Sequence, residues 1–358
     1  MIYYITRYTG NTKDAGTKAP NDIESICKRN GWKETKFIKP SNNSNNLVEK
    51  IKKIATNVNN WKLLGKTIKK GDIVIYQHPM YFGTKFANKY IPLFQKRGVK
   101  FIVLIHDLES LRNLTSVTEE SRRSHVFGDL TLLKNFDYII AHNQKMKKYL
   151  MENGIDEQKI VCLEIFDYLC QTKFEKKQKT NSVSIAGNLD SNKCGYIYEF
   201  AQNNPDIKVE LCGGNYNYEK GQSLSNLLYR GSFSPEEITG ILSGSFGIVW
   251  DGPTVKSCLG NTGSYLRYNN PHKTSMYLAT GIPVIVWEEA AIAEFVIKNK
   301  VGITVKSLEN LTDEINKITV EEYDIMAKNA RSIGKLLRKG QYFQNAIENI
   351  LKICLGDK

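Results

Sequence analysis

The feature that most constrains this chain is a regular alternation of short apolar runs with helix-like stretches. In the first half the apolar runs are IYYITRY, TKFIK, DIVIYQ, VKFIVLIH, DYIIAHN and KIVCLEI. Helical patterns fall between them, around residues 20–30, 46–58, 84–97 and 143–153. Nearly continuous apolar strands separated by helices are typical of parallel sheets that are covered on both faces. We therefore predict an α/β fold.

The alternation starts again after a polar stretch at residues 171–181. The second series of strands is SVSIAG, IKVELCG, NLLYRG, FGIVW, IPVIVW and GITVK. Two such series predict two Rossmann-like domains that face each other across a cleft. We place the N-terminal domain at residues 1–170 and the C-terminal domain at 171–337. The amphipathic stretch at about 338–358 is expected to pack back on the first domain.

The charge of the chain limits its partners. The formal net charge is +13, from 50 Lys and Arg against 37 Asp and Glu. The lysines are dispersed and not interleaved with aromatics, which argues against nucleic acid. The charge permits a weak association with a membrane surface, but no amphipathic anchor is evident. No apolar run approaches the roughly 20 residues of a membrane span, so we expect no transmembrane segment.

The beginning of the chain and its cysteines favour a cytoplasmic protein. MIYYITRYTG lacks the charged flank and apolar stretch of a signal peptide. None of the seven cysteines forms a Cys-x-x-Cys pair, so structural zinc is not expected.

Several common cofactor motifs are absent. GNTKDAGTK at 10–18 and GKT at 65–67 lack the spacing of a phosphate-binding loop, and no Gly-x-Gly-x-x-Gly follows the first strand. There is no His-Glu-x-x-His and no Asp-x-Asp. Without paired hard oxygen ligands for Mg²⁺, a bound diphosphate would be neutralised by lysines and helix N-termini. We expect no metal or other cofactor.

The second half places polar residues where several strands end. In open α/β sheets ligands bind at the carboxyl ends of the strands. The candidates there for binding a ligand are Gly187, Lys193, Tyr229, Asp251, Asn270, Lys273 and Thr274. Taken singly, Lys193 fits a solvated helix, Tyr229 a core position and Asp251 a turn. Their common location is what favours a site.

Lys273, in NNPHKTS, is the most informative of these residues. It falls in the first turn of a predicted helix, where the macrodipole disfavours a cation. A lysine at that end is explained if it faces an anion, and phosphate is the obvious candidate.

The stretch HKTSMYLATGIPVIVWEEAAIAEFV resembles the donor-binding region of GT-B glycosyltransferases. The longer stretch from Trp250 to Trp287 is similar to the bacterial family of serine-rich-adhesin glucosyltransferases and galactofuranosyltransferase-like enzymes. The resemblance implies a GT-B fold and a nucleotide-sugar donor, usually UDP-linked, held by the C-terminal domain. By motif match, the contacts to the nucleotide and its diphosphate would come from Lys193, Tyr229, Asn270 and Lys273.

One departure from the GT-B pattern affects what the resemblance implies. Many retaining enzymes carry Glu-x7-Glu before the Gly-x-Pro-Val strand, and the second Glu holds the ribose. Here Tyr268 and Met276 occupy those places. Ribose recognition is therefore expected from elsewhere, and the stereochemical outcome is not implied. Glu294 aligns with a glutamate that is common later in GT-B sequences. It fits equally well a solvated residue on the surface of a helix.

The first domain is expected to bind the acceptor. His106 and Asp107 follow a buried strand, and Asp107 is a candidate to accept the acceptor's hydroxyl proton or to orient His106. A capping role for Asp107 is the alternative. Further candidates for acceptor or donor contacts are His78, Tyr81, Phe82, Arg112 and, in the glycine-rich loop after the first strand, Thr17.

Together with these observations, the resemblance implies a hexosyltransferase of the EC 2.4 class. We expect it to move glucose, galactose or a related sugar from a UDP-sugar to a glycan or glycosylated protein, in cell-surface glycoconjugate or adhesin glycosylation. A UDP-sugar 2-epimerase and a non-catalytic carbohydrate-binding partner remain alternatives. The family makes a homo-oligomer reasonable.

Overall fold

The computed structural model describes residues 1–7, 17–40, 46–112, 128–175 and 177–356. Within these ranges it contains two parallel six-stranded sheets whose strands are connected by helices. The predicted α/β fold of two Rossmann-like units is confirmed. The glycine-rich loop expected near the donor lies mostly outside the described residues, and only its end from Thr17 onward is seen.

The first sheet has the strand order β2-β1-β3-β4-β5-β6. Its strands are β1 (Ile2–Arg7), β2 (Lys33–Phe37), β3 (Ile73–His78), β4 (Lys100–Ile105), β5 (Tyr138–Ala141) and β6 (Ile160–Cys162). The helices between them are α1 (Lys18–Arg29), α2 (Leu47–Thr67), α3 (Thr84–Gln95), α4 (Glu109–Arg112) and α5 (Gln144–Glu152), with further helix at residues 128–133 and a 3₁₀ turn at Glu157–Lys159.

Both faces of the inner strands of the first sheet are buried, which explains their apolar runs, whereas the edge strand β2 is mostly exposed. Tyr3 and Ile5 belong to the core under α2 and α3, whereas Tyr4, between them, belongs to the core on the opposite face. Successive side chains of a strand point to opposite faces, so a sheet with two covered faces needs an apolar residue at every position.

The second sheet has the strand order β12-β11-β10-β7-β8-β9. Its strands are β7 (Ser182–Ala186), β8 (Lys208–Cys212), β9 (Leu227–Gly231), β10 (Phe246–Val249), β11 (Val284–Trp287) and β12 (Gly302–Val305). Its helices are α6 (Ser191–Cys194), α7 (Tyr196–Asn203), α8 (Tyr218–Gly221), α9 (Ile238–Ile241), α10 (Gly260–Tyr265), α11 (His272–Ala279), α12 (Ala293–Asn299), α13 (Leu311–Lys317) and α14 (Val320–Lys339).

One further helix, α15 (Gln341–Leu355), follows α14 after a left-handed glycine at Gly340. Its residues Phe343, Ala346, Ile347 and Ile350 are buried in the core on the Tyr4 face of the first sheet. The chain thus crosses twice between the two sheets.

Candidate active site

A cleft of about 530 Å³ lies between the two sheets and receives side chains from both. Its walls include Asp107 from the first domain and Gly187, Lys193, Asp251 and Lys273 from the second. This volume is within the range of small-molecule sites. Five of the residues predicted from the sequence are therefore brought together in one cavity.

Two glycines bring bare backbone to the floor of the cleft, at the ends of β7 and β8. Gly187 has φ of 120°, a conformation that L side chains rarely adopt. A Cβ on Gly213 would lie 1.7 Å from the carbonyl oxygen of Gly187. Because neither position tolerates a side chain, a ligand can approach the main chain closely here.

A carboxylate stands between two lysines on the same wall. The Nζ of Lys273 donates to Oδ1 of Asp251 at 2.9 Å, and the Nζ of Lys193 lies 3.8 Å from Oδ2. Burial alone would lower the pKa of Lys273, but the Asp251 carboxylate outweighs it, and the pKa is raised. Lys273 is therefore a permanent cation, only 15 % exposed, in the first turn of α11.

This wall can hold an anion strongly. Two lysines and one carboxylate leave a net positive charge, and the N-terminal end of α11 adds a partial positive charge. In a half-closed cleft such charges are less screened than in bulk water. The arrangement fits a phosphate group.

Asp107, on the first-domain wall of the cleft, belongs to a charged network. The Nη1 of Arg112 donates to Asp107 and its Nη2 donates to Glu109, both at 2.6 Å. Burial would lower the pKa of Arg112, but the two carboxylates raise it. Tyr81, 56 % exposed, donates its hydroxyl to Glu109 at 3.2 Å. An exposed aromatic ring beside paired charged groups is suited to binding a sugar.

Lys18 is a cleft residue that the sequence analysis missed. It begins α1, donates to Asp22 at 2.8 Å and to the Leu169 carbonyl at 2.6 Å, and lies 3.6 Å from Glu236 of the second domain. The same pattern that singled out Lys273, a lysine in the first turn of a helix, was available at Lys18. The Gly213–Gly214 pair after β8 was a second overlooked pattern.

Asn270 does not face the cleft, contrary to the expectation that it contacts the nucleotide. Its amide nitrogen donates to the carbonyls of His142 at 2.7 Å and Glu164 at 2.9 Å, and its oxygen accepts from Asn143 at 2.7 Å. Since its side chain and its backbone N–H all bind the first domain, we assign it to joining the domains.

Four other candidates also lie behind the cleft wall. Tyr229 stacks on Tyr216 and donates its hydroxyl to the carbonyl of Gly213 at 2.9 Å, so it supports the floor. Thr274 is completely buried within α11. Thr17 precedes Lys18 and is 9 % exposed. His106 bonds Gln77 at 2.7 Å and stacks on Phe166 below Asp107.

Three further residues are placed away from the cleft. His78 pairs with Asp129 at 3.1 Å and is buried. Phe82 packs against the core of the first domain. Glu294 is exposed and borders a smaller pocket of about 140 Å³ beside Glu164.

The described residues contain neither a metal-binding cluster nor a membrane-spanning helix. Within those ranges no group of three or more His, Cys, Asp or Glu side chains is placed to hold a metal ion. None of the helices there is both long and apolar enough to cross a membrane.

Comparison with known proteins gives matches over nearly the whole chain. The models described as "Glucosyltransferase 3-like, N-terminal domain" and "Glucosyltransferase 3-like, C-terminal domain" match residues 2–165 and 183–350. Beta-1,6-galactofuranosyltransferase WbbI of Escherichia coli K12 is 35 % identical over 289 residues, covering 78 % of this chain and 79 % of its own. Glucosyltransferase 3 of Streptococcus gordonii is 26 % identical, covering 92 % and 91 %.

Solved structures share the fold at low sequence identity. Sucrose-phosphate synthase from Thermosynechococcus elongatus superposes with a TM-score of 0.62 at 13 % identity, over 100 % of this chain and 99 % of its own. Anabaena HepE in complex with UDP and glucose superposes with a TM-score of 0.61 at 11 % identity, over 98 % of both chains. These likenesses concern the GT-B fold alone.

Proposed function

Because this chain belongs to the glucosyltransferase 3-like family of glycosyltransferases, we propose that it transfers a hexose from a UDP-sugar to a glycan or glycosylated-protein acceptor, without a metal ion. The second domain holds the donor and the first holds the acceptor. The observation that carries this proposal is the cleft wall of Lys273, Asp251 and Lys193 at the N-terminus of α11.

The wall is suited to a departing diphosphate. As the sugar–phosphate bond breaks, negative charge grows on the diphosphate while the sugar becomes oxocarbenium-like. Lys273 and Lys193 oppose that charge with fixed cations in a partly closed cleft, where such interactions are strongest. The acceptor oxygen forms the new bond to the sugar and gives its proton to Asp107, which Arg112 holds in place.

Named relatives support the choice of substrates. The E. coli relative is named a galactofuranosyltransferase and the streptococcal one a glucosyltransferase, which are both hexose transfers. The Anabaena neighbour was solved with UDP and glucose. We place the reaction in the cytoplasm, since all seven cysteines are unpaired, as expected of a reducing compartment.

A thermal-shift screen tests the donor site. UDP, GDP, ADP and their common sugar conjugates are added to the protein with and without EDTA. A ligand at about 100 times its Kd adds roughly 2.7 kcal/mol of stability. A UDP-selective shift that survives EDTA is expected. A shift that EDTA abolishes contradicts the metal-free site, and no shift with any nucleotide contradicts the donor site.

Product analysis separates transfer from epimerisation. An epimerase forms a new sugar isomer from the UDP-sugar with no acceptor present. A transferase releases UDP in proportion to the glycosylated acceptor. We expect the second result, and a new isomer formed without acceptor would overturn the proposal.

A further inference from the structure

Helix α2 carries an apolar stripe that faces solvent. The later turns of the helix are buried against the first domain through Asn57, Asn60, Trp61 and Leu64. Its first two turns present large apolar side chains, each more than half exposed: Leu47, Val48, Ile51 and Ile54, at 73 %, 57 %, 57 % and 55 %. Clustered apolar residues of this kind mark interaction surfaces, whereas single exposed ones do not.

The stripe is bordered by positive charge. Helix α2 contains five lysines, Lys50, Lys52, Lys53, Lys62 and Lys66, against the single acidic residue Glu49. Among the residues that the structure describes, only Lys52 of these five forms an ion pair, with Glu49 at 2.9 Å. The other four side-chain charges are available to a partner.

We propose that the α2 stripe docks on an anionic phospholipid surface, with its apolar residues in the headgroup boundary and its lysines on the lipid phosphates. An amphipathic helix lying in the interface combines apolar burial with attraction to anionic lipid. A second copy of this chain is a poorer partner, because two such helices would bring their unpaired lysines together.

The inference does not depend on the donor chemistry, because α2 lies on the first domain, away from the lysines of the cleft. It does place the reaction at a membrane surface. The first domain, which is expected to bind the acceptor, would then lie next to an acceptor held at that surface. The side chain of Asn60 fastens the helix to the end of β2 through both backbone groups of Ile38, at 3.1 and 2.9 Å.

Vesicle co-sedimentation of the full chain tests the proposal. Vesicles of phosphatidylcholine alone are compared with vesicles containing roughly a third phosphatidylglycerol. We expect binding to the anionic vesicles only, weakening as salt is added. The variants Ile51→Ser/Ile54→Ser and Lys62→Glu/Lys66→Glu should each reduce the apparent affinity for anionic vesicles at least about tenfold.

Matched controls come from the second domain. Ile297 and Ile325 are 62 % and 52 % exposed, and Lys328 and Lys335 are exposed on α14. Their serine and glutamate variants should bind vesicles like the unaltered protein. Unchanged melting temperatures of the α2 variants show that they fold.

Three outcomes overturn the proposal. The first is that the unaltered protein does not bind anionic vesicles. The second is that the α2 variants and the control variants lose vesicle binding equally. The third is that the unaltered protein binds no lipid but forms an oligomer, which the α2 substitutions dissociate. The last result, read by light scattering after size exclusion, would assign the stripe to a second copy. A failure here leaves the UDP thermal shift intact, so it is distinguishable from a failure of the proposed function.

Discussion

Lys273 is the residue on which the proposed chemistry depends most. Replacing Lys273 with alanine removes a fixed cation from the growing charge of the diphosphate. Loss of one such group costs about 2.7–4 kcal/mol of barrier, so kcat should fall by about 10²–10³. Steady-state kinetics measure kcat, with Lys335→Ala as the control. An unchanged kcat of Lys273→Ala would contradict the proposal that Lys273 stabilises the departing diphosphate.

Asp251 offers a different test, because it neutralises the lysines when no ligand is present. The Asp251 carboxylate is only 12 % exposed, and Asp251→Asn removes its charge from between Lys193 and Lys273. The ligand-free protein should therefore lose about 1–3 kcal/mol of stability. A bound diphosphate would replace the missing charge. The UDP-induced rise in melting temperature should therefore be larger than in the unaltered protein, and an equal or smaller rise would argue against a diphosphate at this wall.

Which residues form the site was only partly predictable at this scale. Lys193, Asp251, Lys273, Gly187 and Asp107 were predicted from their positions near strand ends, and all five line the cleft. Asn270 has the same kind of position, but its side chain bonds backbone carbonyls that are more than 100 residues away in sequence. The direction of a side chain depends on such remote partners, which no local pattern reveals.

At the scale of elements, the close approach of β7 and β8 makes a sharp prediction. Gly213→Ala would place a methyl group 1.7 Å from the Gly187 oxygen and force the floor of the cleft to move. Such overpacking costs about 1–3 kcal/mol, and UDP binding should weaken with it.

The neighbouring glycine is the control. A Cβ on Gly214 has Ser232 Oγ as its nearest neighbour, at 3.8 Å, so Gly214→Ala should be tolerated. Chemical denaturation and UDP titration of both variants make the comparison. Equal losses of stability and of UDP affinity in the two variants would show that the close approach of Gly213 to Gly187 does not cause the effect.

Strands were more predictable than helices because their apolar runs are long and both faces are covered. All twelve predicted strands are present. The second was placed about two residues too late, at TKFIK, since Ile38 is apolar yet 57 % exposed and bonds Asn60 instead of the ladder. Helix α9 is only four residues long, because Gly240 lies within it and Gly244 follows shortly after its end.

At the scale of the whole molecule, Asp167 ties the link between the domains to α15. Its carboxylate accepts from the backbone N–H groups of Tyr342 and Phe343 at 3.2 and 2.8 Å. Burial raises the pKa of Asp167 to about 7, although these two bonds lower it. Stability from this group is therefore present at low pH and is lost as the pH rises from the unfolded value of 3.8 through 7.

Asp167→Asn removes that titration. The free energy of unfolding of the variant, relative to the unaltered protein, should increase by more than about 1 kcal/mol between about pH 5 and about pH 8. Urea unfolding at the two pH values measures it, and a difference that does not change with pH would contradict the raised pKa.

Buried histidines titrate in the opposite sense but do not affect this comparison. Burial lowers the pKa of His142 and His272 to about 4, so their contribution is lost as the pH falls below about 6.5. Both proteins contain these histidines, and the difference between them cancels their effect.

The return of α15 to the first sheet has a consequence for synthesis. A ribosome adding about 5–20 residues per second needs roughly 10–40 s to travel from β6 to Phe343. During that time every strand of the first sheet exists, but the side chains around Tyr4 and Leu104 lack the helix that covers them. The first domain is thus completed after the second. Until then the nascent chain exposes this apolar surface of the first sheet, to which chaperones can bind.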